Sequence, residues 1–252
     1  MVAQTIVLPN VKKMFLPDPG YFICDSDLAQ ADAQVVAWDA GDEALKAIFL
    51  DPDADLHNAN AQDIFGKTGG IYRQRSKVGV HATNYDVKPR TLATALGITV
   101  KEAEDFIDKW FTAHPDIYNW QRRIEHDLQT TRIITNRFGN RKVFFGRIDR
   151  ALGEALAWIP QSTVALVINR AWKNIEDLCD PEVQVLLQVH DSLVYQVKRL
   201  TFRRKLEALE QCFRIVIPYD DPLIIPAGLS YSDLSWGHCQ ESDWAGKFIE
   251  EL

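Results

Sequence analysis

Cysteine is scarce and scattered in this sequence: Cys24, Cys179, Cys212 and Cys239, with no CxxC pair. That spacing offers neither a zinc site nor a disulfide framework, and a reducing, cytoplasmic setting is the expectation. Long apolar runs are missing as well. No stretch approaches the roughly 20 residues that span a bilayer, and Met1 to Pro9 is too short and too weakly apolar for a secretory signal. A membrane partner is therefore not expected. Internal repeats and low-complexity tracts are absent. The apolar share of 46% and charged share of 25% over 252 residues suit one large domain or two coupled subdomains with a substantial core.

Positive charge is also short overall, with a net of −7. Its distribution matters more than its total. Residues 1–66 hold 3 basic and 11 acidic side chains, residues 67–150 hold 16 and 9, and residues 151–252 hold 9 and 15. A basic block thus lies between two acidic ones, the balance that cation-dependent chemistry on a phosphate would need.

Tyr21 to Cys24 reads as a buried strand leading into Asp25-Ser26-Asp27. A helical pattern then extends towards Leu50, interrupted near Gly41-Asp42, with a further helix from Leu56 to Phe65. Ile71 to Tyr85 reads as an unusually polar helix. Thr99 and Glu102 form a capping-box pattern ahead of an apolar face on Ala103, Phe106, Ile107, Trp110 and Phe111. Pro115 opens another helix. Arg132 to Phe145 reads as a β-hairpin turning at Phe138-Gly139-Asn140, and Ala151 to Leu178 as a long helix bent at Pro160. Val183 to Val197 holds two strands around His190-Asp191-Ser192; a helix over Phe202–Phe213 and a strand over Leu223–Leu229 follow. His114, His126 and His238 have no partners at ligand spacing and are expected on the surface.

Two features carry chemistry. Asp27 ends an apolar strand and Asp191 sits in a turn between two, positions that hold a carboxylate at the rim of a sheet, where a pair could bind Mg2+ through oxygen. They stand 164 positions apart, so spacing alone does not bring them together. Arg73, Lys77, His81 and Tyr85 recur every four residues along one side of a helix, with no acid before Asp86. That face suits a triphosphate beside the first two positions and a base beside the last.

Three ordered segments resemble the motifs of family A DNA polymerases. They are Asp27-Leu28-Ala29-Gln30-Ala31-Asp32, the stripe Arg73-x-x-x-Lys77-x-x-x-His81-x-x-x-Tyr85, and Leu186-Leu187-Gln188-Val189-His190-Asp191. Supporting segments are Asp55-Leu56-His57, Phe138-Gly139-Asn140-Arg141, Gln161, and Gly228-x-x-Tyr231-x-x-Leu234-x-Trp236. The resemblance implies an α+β fold. An antiparallel palm sheet with packed helices (1–56 and 151–252) would carry an inserted, mostly helical fingers subdomain (57–150), whose key helix spans about 69–86. It implies that Asp27 and Asp191 bind two Mg2+ ions, with Mn2+ a possible substitute, and that Lys77 acts as the acid for departing pyrophosphate. Arg73, Lys77, His81, Tyr85, Asp32, Gln30 and His57 would meet the deoxynucleoside triphosphate. Arg141, Gln161, Gln188 and His190 would line the primer-template DNA.

Four positions depart from the family pattern. His81 replaces an aromatic residue, Asp86 a glycine, Ser192 a glutamate, and Asp32 a glutamate one methylene longer. The chain also starts shortly before the first motif, which leads to the expectation that thumb and exonuclease domains are absent, the chain being either a fragment or one part of a split polymerase whose second polypeptide supplies them. A non-catalytic nucleic-acid-binding or assembly subunit derived from a polymerase is the alternative reading, and a single-subunit RNA polymerase a third.

Overall fold

The computed structural model describes residues 9–148 and 151–248; apart from Pro9, the reading of Met1 to Pro9 falls outside them. Two compact units emerge. One comprises residues 1–29, 165–216 and 224–252, the other residues 30–164 and 217–223. The sequence division was drawn at different places, 56/57 and 150/151.

The first unit is built on a five-stranded antiparallel sheet. β1 (Tyr21–Asp27) lies at its centre between β5 (Ser192–Lys198) and β8 (Leu229–Ser232), with β4 (Val183–Val189) and β9 (Gln240–Ser242) at the edges. β1 runs three residues beyond the Tyr21–Cys24 expected. Polar Asp25 and Asp27 are tolerated because strand alternation puts them on one face. On that face Ile23, Val194 and Trp236 form a small core with Leu187, Val189 and Cys239. On the other, Phe22, Phe202 and Tyr231 pack in tilted and edge-on contacts, and the buried Ser26 and Tyr195 hydroxyls share a hydrogen bond of 2.9 Å. The helix Phe202–Phe213 buries Phe202, Leu206, Leu209, Cys212 and Phe213, the i, i+3, i+4 stripe of an amphipathic element.

Beyond the short β6 (Val216–Ile217), the expected strand over Leu223–Leu229 is two short strands, β7 (Leu223–Ile224) and β8. Pro226 between them has no N–H to give to a ladder.

The second unit is helical. Its helices are α1 (Ala31–Ala40), α2 (Glu43–Leu50), α3 (Leu56–Phe65), α4 (Gly70–Asn84), α5 (Pro89–Leu96), α6 (Val100–Ala113) and α7 (Pro115–Thr130), followed by the hairpin β2 (Ile133–Thr135) and β3 (Arg141–Val143). α8 (Leu152–Asp177) runs on through Pro160. The Thr99 capping box has both of its reciprocal bonds. Gly79 of α4 lies against Phe106 of α6, so closely that a Cβ there would sit 2.4 Å from the ring. Buried Trp110 donates to Asn84 Oδ1 at 2.9 Å, and Gln121 donates to the carbonyls of Thr83 and Asn84 at 2.8 and 3.0 Å. The Gln121 bonds reach backbone carbonyls in the last turn of α4 and the Trp110 bond the Asn84 side chain, and together they fix the end that carries Tyr85.

His114 is not a surface residue. It is buried at the α6–α7 junction, with Nδ1 2.9 Å from Asp42 Oδ2 and Nε2 3.5 Å from Asp63 Oδ2. Both partners come from distant positions, which local spacing could not reveal. Burial pushes the Asp42 carboxyl up, but the His114 hydrogen bond and the N–H groups of Leu45 and Ala44 outweigh it and hold it below its ordinary value. His126 and His238 are exposed as expected. Among the described residues no helix is long and apolar enough to cross a membrane.

Candidate functional site

In the first unit the central sheet brings Asp27 and Asp191 together. β1 and β5 pair over their whole length, and Asp27 lies opposite Ser192, the residue after Asp191. The Leu28 amide donates to the Asp191 carbonyl at 3.0 Å, and the Gly228 amide to the Asp27 carbonyl at 2.8 Å. The Asp27 backbone is thus held from both sides. His190, exposed, takes φ 53° in the β4–β5 turn, a left-handed conformation that reverses the chain within two residues. Gln188 lies on β4, half-buried, opposite Leu193.

Asp27 stands at the open end of its strand, yet its pKa is raised. Loss of water around the carboxyl is the largest cause, followed by the negative charges of Asp191, Asp25 and Glu241, while Lys12 opposes them. The β-register explains why so many acids meet. Asp25, Ser230 and Glu241 are direct partners across β1, β8 and β9, and Asp25 shares its face with Asp27, two residues on. Asp25 Oδ2 accepts from Trp236 Nε1 at 2.5 Å and lies 3.7 Å from Lys12 Nζ. Its Oδ1 is buried without a hydrogen-bond partner.

This donor set fits a hard divalent cation, since it offers only carboxylate oxygens whose mutual repulsion a cation would relieve. Among the described residues no three His, Cys, Asp or Glu side chains already stand in metal-binding geometry. The protein supplies an open pair of carboxylates rather than a closed cage.

In the second unit α4 displays the polar stripe. Arg73 Nε donates to Asp55 Oδ2 at 2.8 Å. Asp55 also caps α3, accepting from the amides of His57 and Asn58 at 2.9 and 3.1 Å. The sequence showed no acid on this helix before Asp86; the neutralising carboxylate comes instead from a neighbouring helix. Ser76 ties the two helices by donating to the His57 carbonyl at 2.6 Å. His57 is pushed below its ordinary pKa by burial and by the cations Arg73 and Lys77, and its Nδ1 is buried without a partner. Lys77 and His81 are exposed.

At the far end of α4, Tyr85 packs edge-on against His81, with ring centroids 4.9 Å apart. Burial, then the charge of Asp32 and a hydrogen bond to it, push the Tyr85 hydroxyl well above its ordinary pKa. Gln30, exposed, takes φ 47° just ahead of α1. Asp86, at φ 61°, sits where glycine is favoured; its charge is met by Lys88 at 2.6 Å. Arg141 on β3 and Gln161 on α8 are exposed and stand outside the α4 cluster of hydrogen bonds.

A profile of DNA polymerase family A matches residues 3–228.

The chain belongs to DNA polymerase family A.

It is 27% identical over 232 residues to the thermostable DNA polymerase I of Thermus filiformis, which covers 87% of this chain and 28% of that protein. It is 25% identical over 234 residues to DNA polymerase I of Pseudomonas aeruginosa, covering 87% and 26%. This family A chain therefore spans about a quarter of the length of these relatives. Its fold is similar to the POL domain of Pol1 from M. smegmatis, solved in complex with DNA primer-template and dNTP. The TM-score is 0.79 at 21% identity, over 91% of this chain and 42% of that one. The α+β architecture is thus that of a family A polymerase domain.

Sequence reasoning missed Asp55, Asp25, Lys12 and Glu241 as neighbours of the candidate residues. For Asp55 a signal was present, a helix-capping Asp directly before Leu56-His57-Asn58. For Asp25 it was the i, i+2 spacing to Asp27. Glu241 gave none, because its place depends on the pairing of β8 with β9, beyond the family match.

Proposed function

We propose that this chain catalyses template-directed DNA synthesis, adding deoxynucleotides to a primer 3′-hydroxyl. What supports the reading most is that Asp27 at the end of β1 and Asp191 in the turn leading into β5 are brought together, in a chain of family A, although 164 positions separate them.

In this reading Asp27 and Asp191 hold two Mg2+ ions, or Mn2+ in their place. Such ions, when bound, supply Lewis-acid stabilisation of the attacking and departing oxygens. Asp25 and Glu241 add negative potential that raises local cation concentration. Arg73 offers a planar guanidinium to phosphate oxygens, directed by Asp55 until the nucleotide replaces that contact. Lys77 binds the triphosphate and gives a proton to the pyrophosphate as the primer 3′-hydroxyl, its proton passing to solvent, bonds to the α-phosphorus and the α–β bridge breaks. His57, whose pKa is lowered by burial first and then by Arg73 and Lys77, offers one hydrogen bond at the phosphates. Tyr85 and Asp32 form a polar contact that crowds a ribose 2′-hydroxyl, and His81 stacks on the sugar and base. Gln30 lies along the nucleotide, and Gln188, His190, Arg141 and Gln161 contact the primer-template. Segments corresponding to the rest of the relatives, on this polypeptide or another, would supply further grip on the duplex.

The test offers each deoxynucleotide singly, with Mg2+, against four templates that differ in the next unpaired base. Incorporation restricted to the complementary nucleotide supports template-directed synthesis. Addition independent of the template base, or preferred use of ribonucleotides, overturns it.

A further inference from the structure

The β2–β3 hairpin of the helical unit carries an exposed aromatic on a strongly basic ribbon. Between positions 132 and 148 the sequence has five cations, Arg132, Arg137, Arg141, Lys142 and Arg147, and no carboxylate. Ile133 pairs with Val143 and Thr135 with Arg141, so these four side chains share one face. They all point outward, while Ile134 and Phe144 face the core. The alternation continues past the strand and turns Phe145 out as well, leaving it 88% exposed beside Val143 and Ile133 at 45% and 37%. With Val143 and its partner Ile133, the ring extends an exposed apolar strip along this face.

The platform is stiff. Asn136 Oδ1 accepts from the amides of Phe138 and Asn140 at 3.1 and 3.0 Å, and its Nδ2 donates to Ser162 Oγ at 2.9 Å. Four of the five cations divide into two groups, while Arg147 is engaged by a further interaction. Arg137 is held by Asp39 and Lys142 by Glu154. Arg132 and Arg141 are exposed, and no hydrogen bond or ion pair among the described residues engages their side chains.

We propose that the outward face of this hairpin binds single-stranded nucleic acid, with Phe145 stacking on an unpaired base and Arg132 and Arg141 holding the flanking phosphates. Charge decides the occupant: a ribbon with no acid repels cationic partners and attracts a polyanion. The ring decides the form. A stacked duplex offers no free base face along its length, whereas a single strand does. The inference extends the DNA-binding reading above but needs no catalysis, and it predicts a contact for unpaired strand separate from the nucleotide cluster on α4.

The test is fluorescence anisotropy with a labelled oligo-dT and a blunt duplex of equal length, without nucleotide or divalent ion. Phe145→Ala is expected to weaken oligo-dT binding roughly 5- to 100-fold, the range for loss of one stacked base, with duplex binding changed less than about 2-fold. Phe145→Tyr is expected to restore the affinity. An oligonucleotide bearing 5-iodouracil is expected to crosslink at position 145 on irradiation. Equal oligo-dT binding by parent and Phe145→Ala overturns the proposal, as does an equal loss for duplex and single strand. A parent that sediments as a dimer, while Phe145→Ala is monomeric, assigns the face to a second copy and overturns it too. Loss of primer extension with this binding pattern intact would count against the polymerase reading alone.

Discussion

The carbonyl of Asp191 accepts the amide of Leu28 at 3.0 Å, so the residue after Asp27 is bonded to the second candidate carboxylate's own backbone. Two acids 164 positions apart in the chain are thereby held by main-chain contacts rather than by flexible side chains. Such rigidity is what a preorganised cation site requires.

Removing the Asp27 charge is expected to stabilise the ion-free protein. Its pKa is raised, so the stabilising form is the protonated one. That contribution is complete below the ordinary carboxylate value of about 3.9 and lost as pH rises through the raised value. Asp27 is exposed, so solvent screens the repulsion, and at neutral pH Asp27→Asn should raise Tm by only about 1 °C without Mg2+. It should also abolish the further rise that Mg2+ gives the parent. Differential scanning fluorimetry reads both; a lowered Tm, or an unchanged response to Mg2+, contradicts the assignment.

Asp55 has two separable roles. Asn caps a helix as well as Asp does, so Asp55→Asn should hold stability within about 0.5 kcal/mol of the parent while freeing Arg73. Loss of that guidance is expected to raise KM for deoxynucleotide about 3- to 10-fold with little change in kcat. Arg73→Ala should raise KM about 10- to 100-fold, the value of a charge-assisted hydrogen bond. Steady-state kinetics distinguishes them, and equal KM in all three proteins counts against a triphosphate role.

Tyr85 and Asp32 together are expected to guard sugar identity. Tyr85→Phe keeps the ring and removes the hydroxyl that meets Asp32. The ratio of kcat/KM for deoxy- over ribonucleotide should fall by about 5- to 30-fold, the worth of one hydrogen bond. An unaltered ratio would place discrimination elsewhere.

How much of this was legible in the sequence depends on whether a residue's partner was local. Thr99 and Glu102 lie three apart, and their capping box was readable before any coordinates. So were the α3 and Phe202–Phe213 helices, from their apolar spacing, and the hairpin turn at Phe138-Gly139-Asn140. The meeting of Asp27 with Asp191 was implied only by family resemblance, because strand order β4-β5-β1-β8-β9 cannot be deduced from alternation. His114 shows the same limit, since its partners are Asp42, the N-cap of α2, and Asp63 on α3. Helix α5 was passed over between Tyr85 and Gly97, although Pro89 in its first turn is a start signal.

The buried His114–Asp42 pair is expected to be structural. Asp42→Ala removes both a cap and the histidine's partner and should cost about 3 kcal/mol. The parent's Asp42 contribution is present above the ordinary carboxylate pKa and is lost as pH falls through the lowered value. Urea unfolding from pH 2 to pH 7 should therefore show a flatter acid limb for the variant. Parallel limbs would mean that the pair does not govern acid stability.

Primer extension tests the central claim most directly. It compares the parent chain with Asp191→Ala on a primed DNA template at low salt and high enzyme, with Mg2+ or with EDTA. Extension by the parent with Mg2+ alone, and none by the variant although it folds, is the predicted result. Equal extension by both proteins, or none by a folded parent on excess DNA, would contradict an active site built on Asp27 and Asp191.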